Sequence, residues 1–334
     1  MNHSGSQSSM SWQRQLGNAV TDITTLLKAL QISPAQAHLA GIDSEPLFPL
    51  KIPWSYLSRI QKGCIDDPLL RQVLALKSEH LSTADETDDP VGDLPARQLS
   101  GLIHKYYGRV LLTVSGACAI HCRYCFRKNF PYNKNTLTNN LVPIYEYIKQ
   151  RPEISEVILS GGDPLTYSNN KLFALCEQLE SIAHISRIRI HTRLPIVVPA
   201  RVDKQLNEWL KQRPKHYVIV FHINHPKEIN DEVEVATAKL RHLCLLNQSV
   251  LLRSVNDQAA ILKELSIRCF QVGILPYYLH LLDPVSGSSH FNVPRREAIN
   301  IMKKLHAELP GYLVPRLVKE YPREASKTPI AIRF

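Results

Sequence analysis

The chain has 334 residues, 44% of them hydrophobic and 21% charged, and its 40 Lys and Arg against 30 Asp and Glu give a net charge of +10. These proportions are ordinary for a soluble globular protein, long enough for one large α/β domain with appendages. No apolar stretch reaches the length of a membrane span, and the polar N-terminus has no signal-peptide core. We therefore expect a cytoplasmic protein without a membrane partner.

The net positive charge would permit a polyanionic partner. The basic residues are spread along the chain, however, without a long basic run or an RNA-binding motif, which favours a generally basic surface over a nucleic-acid interface. Four scattered cysteines, most of them in apolar segments, are expected to be buried free thiols in a reducing compartment rather than a disulfide framework. They are Cys64, Cys176, Cys244 and Cys269.

The N-terminal part of the chain predicts helices separated by a proline-rich stretch. Residues 1–10 are expected to be disordered, and the spacing of apolar residues over 11–32 predicts a helix with Ser11 as its N-cap. A second helical stretch is expected around 54–80. The acidic segment 85–90 is expected to be a solvated linker.

From Arg109 onward, apolar strands alternate with amphipathic segments. Strands are predicted over 109–114, 156–160, 187–192, 217–223, 249–254 and 271–278, and helices near 138–150, 169–184, 203–213, 228–246, 257–268 and 295–308. This alternation is typical of βαβ units with a parallel sheet. We therefore expect an α/β fold: a partial (β/α)6 barrel over 101–290, an N-terminal helical region with a linker over 1–100, and a short C-terminal segment over 291–334.

Three cysteines, Cys118, Cys122 and Cys125, follow the first of these strands with a C-x3-C-x2-C spacing. Three thiolates from one loop can bind three irons of a [4Fe–4S] cube and leave the fourth iron open. Zinc and unligated thiols are the alternatives for this spacing alone, but a structural zinc needs four ligands. The nearest fourth candidate is His121, which lies between two of the cysteines, where the backbone can hardly turn it onto the same ion.

A glycine pair follows the second strand, in the run Ser160-Gly161-Gly162-Asp163-Pro164. Glycine lets a backbone approach a ligand closely, and α/β proteins bind ligands at the carboxyl ends of parallel strands. With the cysteine motif after the first strand and this segment after the second, the chain resembles the radical S-adenosylmethionine (SAM) superfamily. That resemblance implies a partial barrel, a [4Fe–4S] cluster at the three cysteines, and SAM as a cofactor.

Polar residues also follow the later strands, at the sheet edge where a barrel keeps its site. They include His191, His222, His225 and His280. A single histidine of this kind is more often structural than a ligand, but their recurrence at one edge favours a site. His222 and His225 are assigned no metal, because no nearby carboxylate completes a set of ligands.

Several short segments narrow the resemblance to the lysine 2,3-aminomutase family. They are 104–110, 125–128, 192–195, 221–226, 251–257 and 326–329. Members of this family use SAM, a [4Fe–4S] cluster and pyridoxal 5′-phosphate (PLP). The resemblance implies that a radical derived from SAM takes a hydrogen from the β carbon of L-lysine held on PLP, after which the amino group moves from the α to the β carbon.

The resemblance also implies roles for individual residues. Lys327 would hold PLP and Arg109 would contact its phosphate, while Arg127 would pair with the substrate carboxylate and Asp283 and Glu320 with its ε-ammonium. Further cofactor contacts are implied at Tyr106, Ser160, Gly161, Gly162, Asp163, Gln248 and Asn256. Without the resemblance, Lys327 would be interpreted as a surface lysine, Arg109 as a strand-edge arginine and Glu320 as a solvated charge.

Two departures from the longer members of the family indicate a branch. The run before Lys327 is Arg323-Glu324-Ala325-Ser326 instead of a glycine-rich run, and the chain stops at Phe334 without a cysteine-bearing extension. Both features resemble the short branch that makes (R)-β-lysine for modification of elongation factor P. The implied partners are L-lysine, an electron donor such as flavodoxin or ferredoxin, and the ligase that modifies elongation factor P.

Three alternatives to this function remain open. The first is a free-lysine aminomutase of catabolism or osmolyte synthesis. The second is an RNA-modifying radical SAM enzyme, which would have no use for Lys327 or Asp283. The third is a non-enzymatic protein that binds a cluster or zinc, which leaves the glycine pair unexplained.

Overall fold

The computed structural model describes residues 10–81 and 83–334. Apart from Met10, the N-terminal segment that we expect to be disordered lies outside the described residues. The chain begins with short helices rather than two long ones. They are α1 (Trp12–Gly17), α2 (Ile23–Leu30), α3 (Pro34–Leu39), α4 (Trp54–Leu57) and α5 (Pro68–Arg71).

The first predicted helix is divided because it contains two N-caps. Ser11 accepts a hydrogen bond from the backbone N–H of Arg14 and begins α1, as predicted, but Asp22 accepts one from Thr25 at 2.7 Å and begins α2. The prediction of a helix around 54–80 is wrong. Gly63 has a φ of +72°, and the Asp67 side chain caps a new turn before Pro68, so only α4, α5 and a 3₁₀ turn form there.

Within the described residues, ten strands form one sheet in chain order. They are β1 (Arg97–Leu99), β2 (Leu102–Tyr106), β3 (Arg109–Ser115), β4 (Glu156–Gly161), β5 (Arg187–Thr192), β6 (His216–Phe221), β7 (Cys244–Val250), β8 (Leu275–His280), β9 (Arg316–Lys319) and β10 (Thr328–Pro329). Strands β3 to β9 are parallel, whereas β1–β2–β3 and β9–β10 are antiparallel. The order runs from β1 to β10 without closing, which confirms an α/β partial barrel.

The remaining helices mostly alternate with these strands. They are α6 (Tyr132–Asn135), α7 (Val142–Lys149), α8 (Asn169–Glu180), α9 (Leu194–Val197), α10 (Lys204–Lys211), α11 (Asp231–Lys239), α12 (Ala259–Gln271) and α13 (Arg295–Glu308). Helix α13 has the predicted bounds, but β7 begins five residues before its predicted start. The parallel strand β9 was not predicted, and it adds a seventh parallel strand to the expected six in the described part of the chain.

One hydrophobic cluster joins the three predicted regions of the chain. It includes Leu26 of α2, Leu112 of β3 and Ile330 after β10, all nearly or fully buried. The acidic segment 85–90 is exposed at Asp85, Thr87 and Asp88, as predicted for a solvated segment, but it is hydrogen-bonded to the chain after β8 and is not a free linker. The backbone N–H of Thr87 donates to the Pro284 carbonyl at 2.9 Å, and the Glu86 carboxylate accepts the backbone N–H of Ser288 at 2.8 Å.

Two further sequence predictions can be compared with the structure. Among the described residues, no helix is both long and apolar enough to cross a membrane. All seven cysteines are free thiols. Cys176 and Cys269 are buried as expected, but Cys64 is only half-buried and Cys244, at the start of β7, is exposed, so for these two the prediction of burial is wrong.

Candidate active site

A cavity of about 390 Å³ lies inside the partial barrel. This is large enough for a small-molecule site. All but one of the predicted site residues line it. The lining set comprises Tyr106, Arg109, Cys118, Cys122, Cys125, Arg127, Ser160, Gly161, Gly162, Asp163, Gln248, Asp283, Glu320 and Lys327. Asn256 lies outside the lining: it is fully buried, and its side chain bonds the backbone of Asn224, Val250 and Leu252. Its role as a cofactor contact stays a prediction.

The loop after β3 that carries the cysteines is anchored to the N-terminal region. Lys51 Nζ donates to the Cys118 carbonyl at 2.9 Å, and the Arg123 guanidinium is paired with the Glu79 carboxylate at 2.6 Å. Burial raises the pKa of the Cys125 thiol to about 11 and that of the Cys118 thiol well above its usual value. Iron binding would therefore have to release protons from these thiols, as metal binding to cysteine generally does.

The cysteine loop fits a cube better than a single zinc ion. The imidazole of His121 lies within 2.8 Å of the Pro49 carbonyl oxygen and stacks on Phe48, so hydrogen bonding and stacking already occupy it. Nowhere among the described residues are three His, Cys, Asp or Glu side chains grouped to hold one metal ion. In a [4Fe–4S] cube each thiolate binds a different iron, and three thiolates on one loop suit that arrangement.

The glycine pair is required by a close approach of two backbones. Gly161 has a φ of +118°, and a Cβ there would lie 2.5 Å from the Ser115 carbonyl oxygen. A Cβ on Gly162 would lie 2.4 Å from the Ala117 carbonyl oxygen, nearer than real Cβ atoms come. The glycines therefore let the loop after β4 press against the start of the cysteine loop. The close neighbour of both glycines in the structure is backbone, and their predicted approach to a ligand stays a prediction.

Asp163 ties the ends of β4 and β5 together. Its buried carboxylate accepts the hydroxyl of Thr192 at 2.8 Å, the backbone N–H of Arg193 at 2.8 Å and that of Leu194 at 2.9 Å, as well as the N–H of Leu165. Burial raises the pKa of this carboxyl, and the hydrogen bonds oppose that effect. Asp163 lines the cavity, but its oxygens are largely engaged by the fold.

On another side of the cavity, five side chains form a chain of alternating charge. Lys327 Nζ lies 2.7 Å from Glu320, whose other oxygen lies 3.0 Å from Lys105 Nζ. Lys105 is 2.6 Å from Asp93, and the second oxygen of Asp93 is 2.7 Å from Arg127 Nε. Two of the three inner members of this chain, Lys105 and Asp93, were not predicted as site residues.

The two carboxylates that are predicted to bind the substrate ammonium have pKa values shifted in opposite directions. Burial by itself would raise the pKa of Glu320, but Lys327 and Lys105 hold it well below its usual value, so Glu320 stays ionised. Burial raises the pKa of Asp283 to about 7, with Lys327 opposing the shift. Asp283 Oδ1 is buried with no hydrogen-bond partner among the described residues. An unpaired buried carboxylate oxygen facing a cavity suits a cationic ligand.

Neutral polar groups complete the wall. Burial lowers the pKa of His222 to about 4 and holds those of His191 and His280 well below their usual value. His222 contacts the Gln248 amide nitrogen at 2.9 Å, while Gln248 Oε1 and the Nε2 atoms of His191 and His280 lack partners in the described chain. Such orphaned atoms fit a polar ligand in the cavity. The Arg109 guanidinium stacks 4.7 Å above the Tyr106 ring at the same wall.

Comparison with known proteins agrees with this geometry. Residues 112–232 match the model of the radical SAM superfamily. The chain is 45% identical to the L-lysine 2,3-aminomutase of Escherichia coli strain K12 over 326 residues, or 97% of this chain and 95% of that protein. It is 43% identical to the one of Haemophilus influenzae over 95% and 94% of the two chains. With the enzyme of Clostridium subterminale the identity is 31%, over 96% and 77%.

The fold, the cysteine motif and the match to the superfamily model make this a radical SAM protein. Membership of that class implies a [4Fe–4S] cluster and SAM. Within that class, the chain belongs to the lysine 2,3-aminomutase family, a family of isomerases.

Proposed function

We propose that the chain is an L-lysine 2,3-aminomutase that uses PLP together with the cluster and SAM, and that it makes (R)-β-lysine. The observation that carries this proposal is the composition of one cavity. Its lining includes three cysteines of the cluster motif together with Lys327, Glu320 and Asp283. A cluster motif alone would suit many radical SAM reactions, but a lysine, an arginine and two carboxylates beside it suit an amino acid with two ammonium groups.

The proposed cofactor contacts follow from this lining. Cys118, Cys122 and Cys125 would bind three irons, and the loop of Gly161 and Gly162 would present its backbone beside SAM at the fourth. Tyr106, Ser160, Asp163 and Gln248 line the same cavity and are proposed as further contacts. When bound, the cluster and SAM supply the organic radical that starts the rearrangement, and PLP supplies the ring that carries the migrating nitrogen.

Lys327 and Arg109 are the proposed PLP residues. The Lys327 ammonium is held by the Glu320 carboxylate at 2.7 Å, so the side chain is already directed toward the cavity. Arg109 begins β3 and stacks on Tyr106, which leaves a planar guanidinium at the wall for a phosphate.

Substrate recognition is proposed to depend on charge. Arg127 would receive the substrate carboxylate, because its guanidinium is nearly buried and fixed by Asp93 and by the Ser160 hydroxyl at 3.1 Å. Asp283 and Glu320 would receive the ε-ammonium. Both lie in a buried region where unpaired charge is costly, so a substrate without a second ammonium would leave a carboxylate unmatched.

We infer the physiological role from the branch. The identity is 42–45% to three relatives, including those of Escherichia coli and Haemophilus influenzae, against 31–33% to the others compared. Together with the run before Lys327, this favours supply of β-lysine to the ligase that modifies elongation factor P, in the cytoplasm, with flavodoxin or ferredoxin as electron donor. Supply of free β-lysine to another pathway is the alternative.

The test is anaerobic incubation of the reconstituted protein with SAM, a one-electron reductant and L-lysine, followed by chiral separation of the product. We expect (R)-β-lysine, and no product from L-glutamate in a parallel reaction. Preferred turnover of glutamate would contradict the substrate assignment. Full iron content without bound PLP and without turnover of either amino acid would favour the RNA-modifying alternative.

The role in elongation factor P modification needs its own test. The reaction mixture would be supplied to the ligase and unmodified elongation factor P, and the mass of that factor would be measured. We expect faster modification with the product than with an equal concentration of L-lysine. Equal rates would favour free β-lysine as the end product.

A further inference from the structure

A buried arginine in the cavity lining touches one of the three motif cysteines. Arg193 follows β5, and its Nη1 donates to the Cys122 sulfur at 2.7 Å and to the Tyr124 hydroxyl at 2.7 Å. Its Nη2 donates to Gln72 at 2.7 Å and to the Glu228 carboxylate at 2.8 Å. The residue is only 7% exposed, so this cation is placed against the sulfur in a nearly dry environment.

The position of this guanidinium is fixed from several sides. The backbone N–H of Arg193 is held by Asp163, and the fully buried Glu228 is itself held by the backbone N–H of Asn224 at 2.9 Å and by the Gln72 amide at 3.2 Å. A guanidinium stays protonated in proteins, and hydrogen bonds from both of its terminal nitrogens hold this one in place. Arg193 is therefore a permanent, immobile cation.

A cation at a cluster ligand has a known electrostatic consequence. When a [4Fe–4S] cube accepts one electron, its negative charge increases by one, and hydrogen bonds to the sulfurs stabilise that extra charge. Glu228 partly neutralises Arg193, because its carboxylate lies 2.8 Å from Nη2, whereas the sulfur is bonded by the other terminal nitrogen, Nη1. Together, the two side chains form a dipole whose positive end is at Cys122.

We propose that Arg193 sets the reduction potential of the cluster through its hydrogen bond to Cys122, and that Glu228 limits how far Arg193 raises it. The inference rests on the proposed role of Cys122 as an iron ligand. The step involved is the transfer of one electron from a low-potential one-electron donor to the oxidised cube, and neither residue gains or loses a proton in it. Arg193 acts through Cys122, so it is a positioning residue and does not touch the reacting atoms.

Removing the charge of Arg193 and removing the charge of Glu228 are expected to shift the reduction potential of the cluster in opposite directions. Arg193→Gln removes the cation and should make the cluster harder to reduce. Glu228→Gln removes the opposing anion and should make it easier to reduce. Arg193→Lys keeps the charge and should lie between wild type and Arg193→Gln. A matched control is Arg213→Gln, because Arg213 pairs with Glu180 at 3.3 Å, also in a largely buried position, but neither residue lines the cavity.

The experiment is an anaerobic titration of each reconstituted protein with dithionite, in which the reduced cluster is followed by electron paramagnetic resonance. For Arg193→Gln we expect about a tenfold or greater loss in the equilibrium constant for reduction, which is about 59 mV for a one-electron couple. A shift of opposite sign is expected for Glu228→Gln, and none for Arg213→Gln. Protein damage would not produce shifts of opposite sign.

An unchanged midpoint reduction potential in Arg193→Gln, with full iron and sulfide content, overturns the proposal. Shifts of that potential with the same sign in the Arg193→Gln and Glu228→Gln variants overturn it as well. Should Arg193→Gln fail to hold the cluster, the signs in Arg193→Lys and Glu228→Gln decide. Failure of the proposed function would look different: wild-type protein would hold no [4Fe–4S] cluster, or Cys122→Ala would retain it.

Discussion

The cavity has two ends that are built in different ways. The sulfur end consists of Cys118, Cys122 and Cys125, which lie within eight residues of one loop. The lysine end consists of Asp283, Glu320 and Lys327, which follow β8, follow β9 and precede β10 respectively. Contacts from the N-terminal region and from the glycine pair hold the sulfur end in place, whereas ion pairs and the two-residue strand β10 hold the lysine end.

Under the proposed function, this difference makes the two ends of the cavity independent cofactor sites. A local motif specifies the sulfur end, so changes elsewhere in the sequence should spare it unless they disturb the loop. The lysine end exists only when Asp283, after β8, meets the later segment that carries Glu320 and Lys327 at the edge of the sheet. Substitutions at one end should therefore remove its ligand and leave the other end loaded, and each expectation below tests that independence.

The largest expected effect is at the sulfur end. Alanine in place of Cys118, Cys122 or Cys125 should abolish SAM cleavage, because each thiolate would hold one iron. Iron analysis and SAM cleavage assays after anaerobic reconstitution measure this. Cys176→Ala is the control, since Cys176 is buried in α8 outside the cavity lining. Equal iron loss in Cys176→Ala and Cys122→Ala would show that the ligand assignment is wrong.

At the lysine end, Lys327→Ala should leave no covalently retained PLP and no detectable aminomutase activity, with iron content unchanged. Borohydride reduction followed by peptide mapping locates the modified lysine. Lys319→Ala is the control, because Lys319 ends β9 and its ammonium lies 5.4 Å from the centroid of the Tyr321 ring. A pyridoxyl group on another lysine in Lys327→Ala would reassign the site, and a parallel loss of iron would end the idea of two independent ends.

Asp283→Ala should lower kcat/KM for lysine by about 100-fold or more, because removing one partner of a buried charge pair costs about 3–5 kcal/mol. Exposed pairs contribute only about 0–1 kcal/mol. PLP and iron contents should remain normal, which distinguishes a substrate contact from a folding defect. The control is Asp257→Ala, whose carboxylate pairs with the partly exposed Arg253. A loss no greater than in the control would remove Asp283 from the substrate site.

A smaller effect concerns pH. Burial raises the pKa of Asp283 to about 7, so its carboxylate, the form that attracts an ammonium, predominates above that pH. The value of kcat/KM for lysine should fall as pH drops below about 7. Glu320 does not account for this fall, because Lys327 and Lys105 overcome the effect of burial and keep its pKa low. The pH profile of Asp283→Asn should lack this step, and an unchanged profile would contradict the assignment.

The same group should affect stability in the opposite direction. Because the folded-state pKa of Asp283 lies above the ordinary value of 3.8, its protonated form favours folding, and this contribution is lost as pH rises through about 7. Asp283→Asn should therefore raise the melting temperature relative to wild type at pH 8, with the difference shrinking toward pH 4. A lower melting temperature at pH 8 would show that a cation inside the protein already satisfies the carboxylate.

The sequence predicted the parts of the fold that have a local signal. Strand β3 agrees closely with its predicted bounds because it is a continuous apolar run, and helix α13 does so because its apolar residues recur at the helical period. Strand β7 was displaced because Asn247, Gln248 and Ser249 interrupt its apolar pattern. Gln248 lines the cavity and the other two bond Ile223, so polar residues in the middle of a strand were themselves a sign of the site.

The missed site residues lacked such a signal. Asp93 lies three residues after the acidic segment 85–90, and its partner Arg127 is 34 residues further along the chain. Lys105 lies within a segment that carried the family resemblance, but its pairing with Glu320 spans 215 residues. The periodicity of apolar residues in a sequence carries no information about contacts between residues so far apart in the chain. Arg193 lies within the segment 192–195 that carried the family resemblance, yet only the folded chain brings it to Cys122.

Asp163 gives the mouth of the barrel one further property. Its carboxylate fastens the end of β4 to Thr192 and to the backbone of Arg193, so the spacing between neighbouring loops depends on a single side chain. Loss of these hydrogen bonds would loosen both the loop of Gly161 and Gly162 and the side chain of Arg193 that contacts Cys122. Substitution of Asp163 or of Thr192 would therefore break the same hydrogen bond and cause the same loss of function. That loss would extend to the cluster although none of the cluster ligands had changed.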